Sequence, residues 1–167
     1  MEIDGLMLVI AGTIALVVIV GIFRWITGSA ARSWNYHKAE TVDKWAAEGV
    51  EFVKGPTGSK FGGLESTGHL RVIRGIGYAV LTPTDLRITR STPLEAWSIP
   101  FEKIKAVTIQ LAFLGEPSKK TPFIVINFET EKGETDDLGF QVTEYRKWAA
   151  DIAKAAQVEL QDTRASS

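Results

Sequence analysis

The side chains with the capacity for chemistry are few and scattered. Two histidines occur, His37 and His69, and neither has a His, Cys or acidic partner at metal-ligand spacing, so no metal site is expected. Asp136 and Asp137 form an acidic pair. Adjacent strand positions point to opposite faces, which favours solvent-facing turn residues over paired acid-base catalysis. Gly75 and Gly77 are separated by one residue, but a third glycine is missing and the pair leads into a strand, unlike a dinucleotide loop. Cysteine is absent, which removes disulfides, thiolate metal sites and palmitoylation. The expectation is a non-enzymatic chain without a cofactor.

Two segments have the composition of binding loops. The first, Gly55 to Gly68, is glycine-rich and carries Lys60, with Lys54 beside it. Two lysines on mobile backbone could hold an anionic headgroup by charge-assisted hydrogen bonds. The alternative is an ordinary flexible loop, and the sequence favours it because no dense Lys/Arg cluster is present. The second, Leu111 to Pro122, sets Phe113 and Leu114 close to Lys119 and Lys120. Apolar residues at a hairpin tip flanked by lysines suit shallow insertion at a lipid surface or docking on a partner. The preferred alternative is that Phe113 and Leu114 finish a strand and face the core. With 19 basic and 20 acidic residues the net charge is -1, so no global field would hold nucleic acid through its phosphates.

These residues must be positioned by elements of three kinds. Residues 1–27 read as a transmembrane anchor: Leu6 to Phe23 is uncharged, and about 20 helical residues span the ~30 Å hydrocarbon layer. Arg24, Trp25, Trp34 and Tyr36 supply the basic and aromatic flank of a helix leaving lipid. Glu2 and Asp4 precede the run where a signal peptide would carry bases, which argues against cleavage. The same acids on one side, with Arg24, Arg32 and Lys38 on the other, place the N-terminus outside and the C-terminal part in the cytoplasm at a cell (inner) membrane. Gly12 and Ala15 are small residues at which a second membrane helix could pack closely. Residues 28–48 lack Pro, are rich in Ala, Glu and Lys toward their end, and read as a helical stalk capped near Gly49, with packing on the following domain preferred over a free stalk.

From residue 49 to 160 the period shifts. Short runs of Val, Ile, Thr and aromatics predict strands over 50–54, 70–82, 85–90, 95–100, 104–114, 122–130 and 134–140. Thr82-Pro83-Thr84-Asp85 and Glu131-Lys132-Gly133-Glu134 read as tight turns, so neighbouring strands should be antiparallel. Residues 143–160 return to helical spacing, with Thr143 as the expected N-cap and Tyr145, Trp148, Ala149 and Ile152 on one stripe. A polar tail, 161–167, ends the chain. The runs at 104–114 and 123–128 are apolar on both alternations, so the second face of the sheet is expected to be covered by the stalk, a second copy or another protein.

The fold class read from this pattern is α+β, mainly β. Seven antiparallel strands closed by a C-terminal helix resemble the pleckstrin-homology (PH) superfold. Gly75-Ile76-Gly77-Tyr78-Ala79-Val80-Leu81-Thr82, followed by Asp85-Leu86-Arg87-Ile88, is similar to the hairpin of its bacterial and GRAM-type members. Trp97-Ser98-Ile99-Pro100-Phe101-Glu102-Lys103-Ile104 resembles their corner, where Pro ends a strand and an apolar residue re-enters the core. The resemblance implies a seven-stranded open barrel capped by a helix. In lipid-binding relatives the loop joining the first two strands cradles phosphoinositide headgroups, which would put Lys54 and Lys60 in that role. The function expected is a membrane-tethered adaptor that binds a protein partner or itself. Two alternatives stand beside it: an anionic-lipid headgroup reader, and an accessory subunit of a larger complex assembled through the membrane helix.

Overall fold

The computed structural model describes residues 44–67, 75–91, 94–118 and 120–163. The expected membrane helix with Gly12 and Ala15, the stalk up to residue 43, both histidines, Lys119 and the last four residues lie outside the described residues. Contacts divide the chain into two units, Met1–Thr41 and Val42–Ser167. Among the described residues no helix is long and apolar enough to cross a membrane.

The second unit is mainly β. Its strands are β1 (Lys54–Leu64), β2 (Gly75–Leu81), β3 (Asp85–Ser91), β4 (Leu94–Pro100), β5 (Ile104–Gln110), β6 (Ala112–Phe113), β7 (Glu116–Pro117), β8 (Phe123–Glu129) and β9 (Thr135–Val142). A helix, Tyr145–Ala156, and a short strand β10 (Leu160–Asp162) follow. Eight strands form one sheet in the order β10-β5-β8-β9-β1-β2-β3-β4, and β6 and β7 form a separate hairpin. All pairings are antiparallel except β10 on β5. The sheet curls on itself: Phe61 of β1 and Trp97 of β4 stack at 4.3 Å although two strands separate them. Inside the curl, Leu86, Ile88, Ile109, Ile124, Leu138 and Phe140 form one core, which the helix closes with Trp148, Ala149 and Ile152.

Both predicted turns are present. Thr82 N–H donates to the Asp85 carbonyl at 3.0 Å, and Gly133, at φ 80°, closes the β8–β9 turn. The helix begins later than expected. Its N-cap is Glu144, in left-handed conformation, rather than Thr143, and its first bonds run from Lys147 and Trp148 N–H to the Glu144 carbonyl. It also ends at Ala156, because Gln157 turns left-handed and the next residues reach back to pair with β5.

The largest departure is at the glycine-rich segment. Rather than a loop, Gly55 to Leu64 lies within the 11-residue β1, and residues 50–53 are not strand. β1 is central: Lys54 to Phe61 pairs with β2, and Ser59 to Leu64 with β9. Its glycines serve bending and close packing instead of mobility. Gly55 and Gly63 have positive φ at the two register shifts, where Gly alone carries no Cβ penalty. A Cβ on Gly62 would lie 2.8 Å from the Phe123 ring and 2.9 Å from the Gly139 carbonyl.

A second correction concerns the doubly apolar strands. β5 stops at Gln110, and the chain folds back as the β6–β7 hairpin through Leu114 and Gly115, both at positive φ as a two-residue turn of the I′ kind requires. Phe113, Leu114, Phe123 and Val125 then form a second, smaller core. The outer apolar face is thus covered, in part, by the chain's own hairpin.

At the described end of the segment read as a stalk, residues 44–47 are helical and Gly49 follows at φ 72°. This end packs on the sheet. Trp45 is 5% exposed, meets Phe52 edge-on at 6.3 Å and lies under the Arg87 guanidinium at 5.7 Å.

Candidate binding groove

An open groove of about 440 Å³ runs between the start of β1, the end of β2 and the last turns of the helix. Leu81, Phe101 and Ala155 supply its apolar lining, with Val53 at the edge. Val53 donates its backbone N–H to the Leu81 carbonyl at 2.8 Å, while its side chain stands 65% exposed. Phe101 opens the 3-10 corner Phe101–Lys103 after β4, fixed by its N–H on the Thr84 carbonyl at 3.0 Å.

The polar rim is Lys54, Asp151 and Lys154. Lys54 donates to Asp151 at 2.5 Å and lies 4.9 Å from the centroid of the Trp148 ring, so its charge is committed within the domain. Asp151 and Lys154 are one helical turn apart on the polar stripe. Lys154 makes no ion pair among the described residues. Thr82, also on the wall, is held by its turn: its Oγ1 accepts from the Asp85 and Thr84 N–H groups and donates to the Asp85 carboxylate. That carboxylate also accepts from Ser98 Oγ and Arg87 Nε. The turn beside the groove is therefore braced from two strands, β3 through Asp85 and Arg87 and β4 through Ser98.

The sequence candidates divide between surfaces. Lys60 and Lys120 line one hollow of about 380 Å³ with Ser118, Thr121 and Gln141. Lys60 sits on paired strand rather than mobile backbone and bridges to Glu116 at 2.9 Å. Lys54 belongs to the groove instead. Phe113 is 8% exposed and packs against Phe123 at 6.0 Å between ring centroids, so its side chain is a core group and not a lipid-facing one. Leu114 packs on the same cluster and is half-buried. The acidic pair also differs from expectation. Asp136 is buried and accepts from Ser66 N–H and Oγ at 2.9 and 2.6 Å, while Asp137 accepts from Asn127 at 2.7 Å. Asp136 therefore caps the turn after β1, a structural role that strand alternation alone does not reveal.

Sequence reasoning missed the groove, because its walls come from residues as far apart as Lys54 and Asp151. It also missed Arg90, which is 2% exposed, bonds Glu95 at 2.8 Å and lies against Phe61 and Trp97. Among the described residues no group of three His, Cys, Asp or Glu could hold a metal ion.

No protein-family profile matches the sequence, and no curated protein matches it. Solved structures do. The C-terminal domain of an unknown protein from Leishmania infantum matches at 17% identity and TM-score 0.40, over 82% of this chain and 97% of that one. The N-terminal PH domain of Vps36 matches at 16% identity and TM-score 0.41, over 66% of this chain and 81% of that one. The DH/PH domains of PDZ-RhoGEF, solved in complex with activated RhoA, match at 10% identity and TM-score 0.40, over 60% of this chain and 28% of that one.

Proposed function

We propose that the chain is a non-enzymatic, membrane-tethered PH-like module on the cytoplasmic face that binds a protein partner or itself. The observation that carries the binding role is the groove at Val53: an open, apolar-floored cavity with a lysine rim, beside a turn held rigid by the Asp85 network. Such a cavity with a few fixed polar groups is the usual form of a recognition site. The PH-like assignment is supported by the strand order, in which seven antiparallel strands curl around one core and a C-terminal helix closes it. Tethering rests on the uncharged run Leu6 to Phe23, which is long enough to cross a bilayer once. A tethered module meets its partner at raised effective concentration, so weak contacts suffice.

One observation favours a second reading. Lys60 and Lys120 flank one hollow together with two hydroxyl side chains; Lys60 is already bridged to Glu116 there, which leaves Lys120 as the cation for an anionic lipid headgroup. Lys54, facing Asp151 in the groove, is not part of it.

Crosslinking in the native membrane, followed by affinity purification, tests the reading when the full chain is compared with one starting at Ser29. Recovery of the same partner, or of the chain itself, with both versions is the expected result. Loss of every partner with the anchor would replace it by an accessory subunit assembled through the membrane helix, for which Gly12 and Ala15 are the packing positions to change to Leu. Recovery governed by anionic lipid alone would favour the headgroup reading.

A further inference from the structure

We infer that the groove at Val53 takes an extended segment of a partner protein in which a bulky apolar side chain stands within two positions of a carboxylate, the carboxylate pairing with Lys154. The inference rests on the binding-module reading above and gives its occupant a chemistry.

Size sets the first limit. About 440 Å³ holds one large side chain with its neighbouring backbone, which fits a peptide segment and not a folded surface. The lining sets the second. Leu81, Phe101 and Ala155 ask for an apolar group, and Val53, a large apolar side chain left 65% exposed at the rim, gains cover when that group enters.

Charge selects the rest. The rim carries two lysines and one aspartate. Lys54 is held by Asp151 and the Trp148 ring, which leaves the Lys154 ammonium to face an incoming group. A carboxylate there gains a partner, whereas a cation would meet an excess of positive charge. A lipid headgroup phosphate would satisfy Lys154 but leave the apolar lining unfilled, so the peptide accounts for more of the site.

The test uses the full-length protein in neutral phosphatidylcholine nanodiscs, panned against phage-displayed random dodecapeptides. The enriched sequences should share an apolar side chain beside Asp or Glu. A synthetic peptide of that sequence should bind about tenfold more weakly to Lys154→Glu, the effect of one lost charge pair, and regain affinity when its own acid is exchanged for lysine. Val53→Asp should weaken it as well. Both positions are exposed, and unchanged circular dichroism would show that the variants remain folded. Peptides indifferent to both variants would overturn this occupant and leave the binding-module reading standing. Failure to enrich any sequence would count against both. A benzoylphenylalanine at position 53 that links to residues 28–43 of the same chain, or to a second copy, would assign the groove to the chain itself and overturn the partner peptide. Competition by anionic vesicles but not by peptides would overturn it in favour of lipid.

Discussion

The Phe113 ring occupies the space that a side chain at Gly139 would need. One residue is in the β6–β7 hairpin and the other in the middle of β9, so this contact seats the hairpin on the outer face of the sheet. Gly139→Ala should push the ring out of its cluster and destabilise the domain by about 1–3 kcal/mol, the usual cost of overpacking. Phe113→Ala should cost about 3 kcal/mol through the cavity it leaves. Because each change acts through the other residue, urea unfolding of the double variant should give less than the sum of the single losses. Strict additivity would mean that the ring does not rest on Gly139.

That contact also explains what the sequence conceals. The hairpin turns at Pro83 and Gly133 are legible because their residue types set local backbone angles, and the helix is legible from the spacing of Tyr145, Trp148 and Ile152. Glycine is ambiguous. In Gly133 it marks a turn, but in Gly62 and Gly139 it marks where an aromatic ring presses on a strand, and only the tertiary packing of Phe123 and Phe113 separates the two uses. The same holds for the doubly apolar β8: Phe123 and Val125 signal a covered outer face, but nothing local says that residues 112–117 are the cover. The groove joins residues almost a hundred positions apart and has no local pattern to read.

Gly77 and Gly133 should therefore respond differently to alanine. A Cβ on Gly77 would overlap the Thr89 carbonyl, a backbone group that cannot move without separating β2 from β3. Gly77→Ala is expected to prevent accumulation of folded protein. Around Gly133 there is open space, and only its φ of 80° opposes a side chain, so Gly133→Ala should cost about 1–2 kcal/mol. Soluble yield and denaturant midpoints of the two variants check the ranking.

Trp45 should make residues 44–49 part of the folding unit. It is buried against Phe52 and Arg87, and Arg87 reaches Glu48 at 3.7 Å. Trp45→Ala should cost about 3 kcal/mol, and a chain starting at Glu51 should melt well below one starting at Val42. Equal melting temperatures would show that residues 42–50 contribute nothing to the domain.

Glu129 should give stability a pH dependence on its acid side. Hydrogen bonds from Lys103 and then Lys105, each at 3.0 Å, together with their charges, hold its carboxyl below the ordinary range. A carboxyl lowered in the folded state contributes stability that is present above its unfolded pKa, about 4.3, and is lost as pH falls through the lower folded value. The stability difference between the native chain and Glu129→Gln should therefore shrink toward zero as pH falls across that window. A difference constant with pH would mean that the two ion pairs do not favour the charged form. The Glu129 carboxyl carbon, followed by NMR, should titrate below an ordinary glutamate.

Arg90 separates packing from charge at the inner wall of the sheet. Its guanidinium lies 5.8 Å from the centroid of the Phe61 ring and 5.7 Å from that of Trp97, and those rings stack within 5° of parallel. Its charge meets Glu95, whose side chain is 46% exposed and can be solvated alone. The long side chain fills the space between strands, and the guanidinium adds attraction to two aromatic faces. Arg90→Ala should cost about 3 kcal/mol through the cavity it leaves, whereas Arg90→Met, which keeps much of the volume and needs no desolvated charge, should recover most of it. Glu95→Gln should have little effect. If Arg90→Met proves as damaging as Arg90→Ala, the charge and not the volume holds β3 to β1 and β4, and Glu95→Gln should then be destabilising as well.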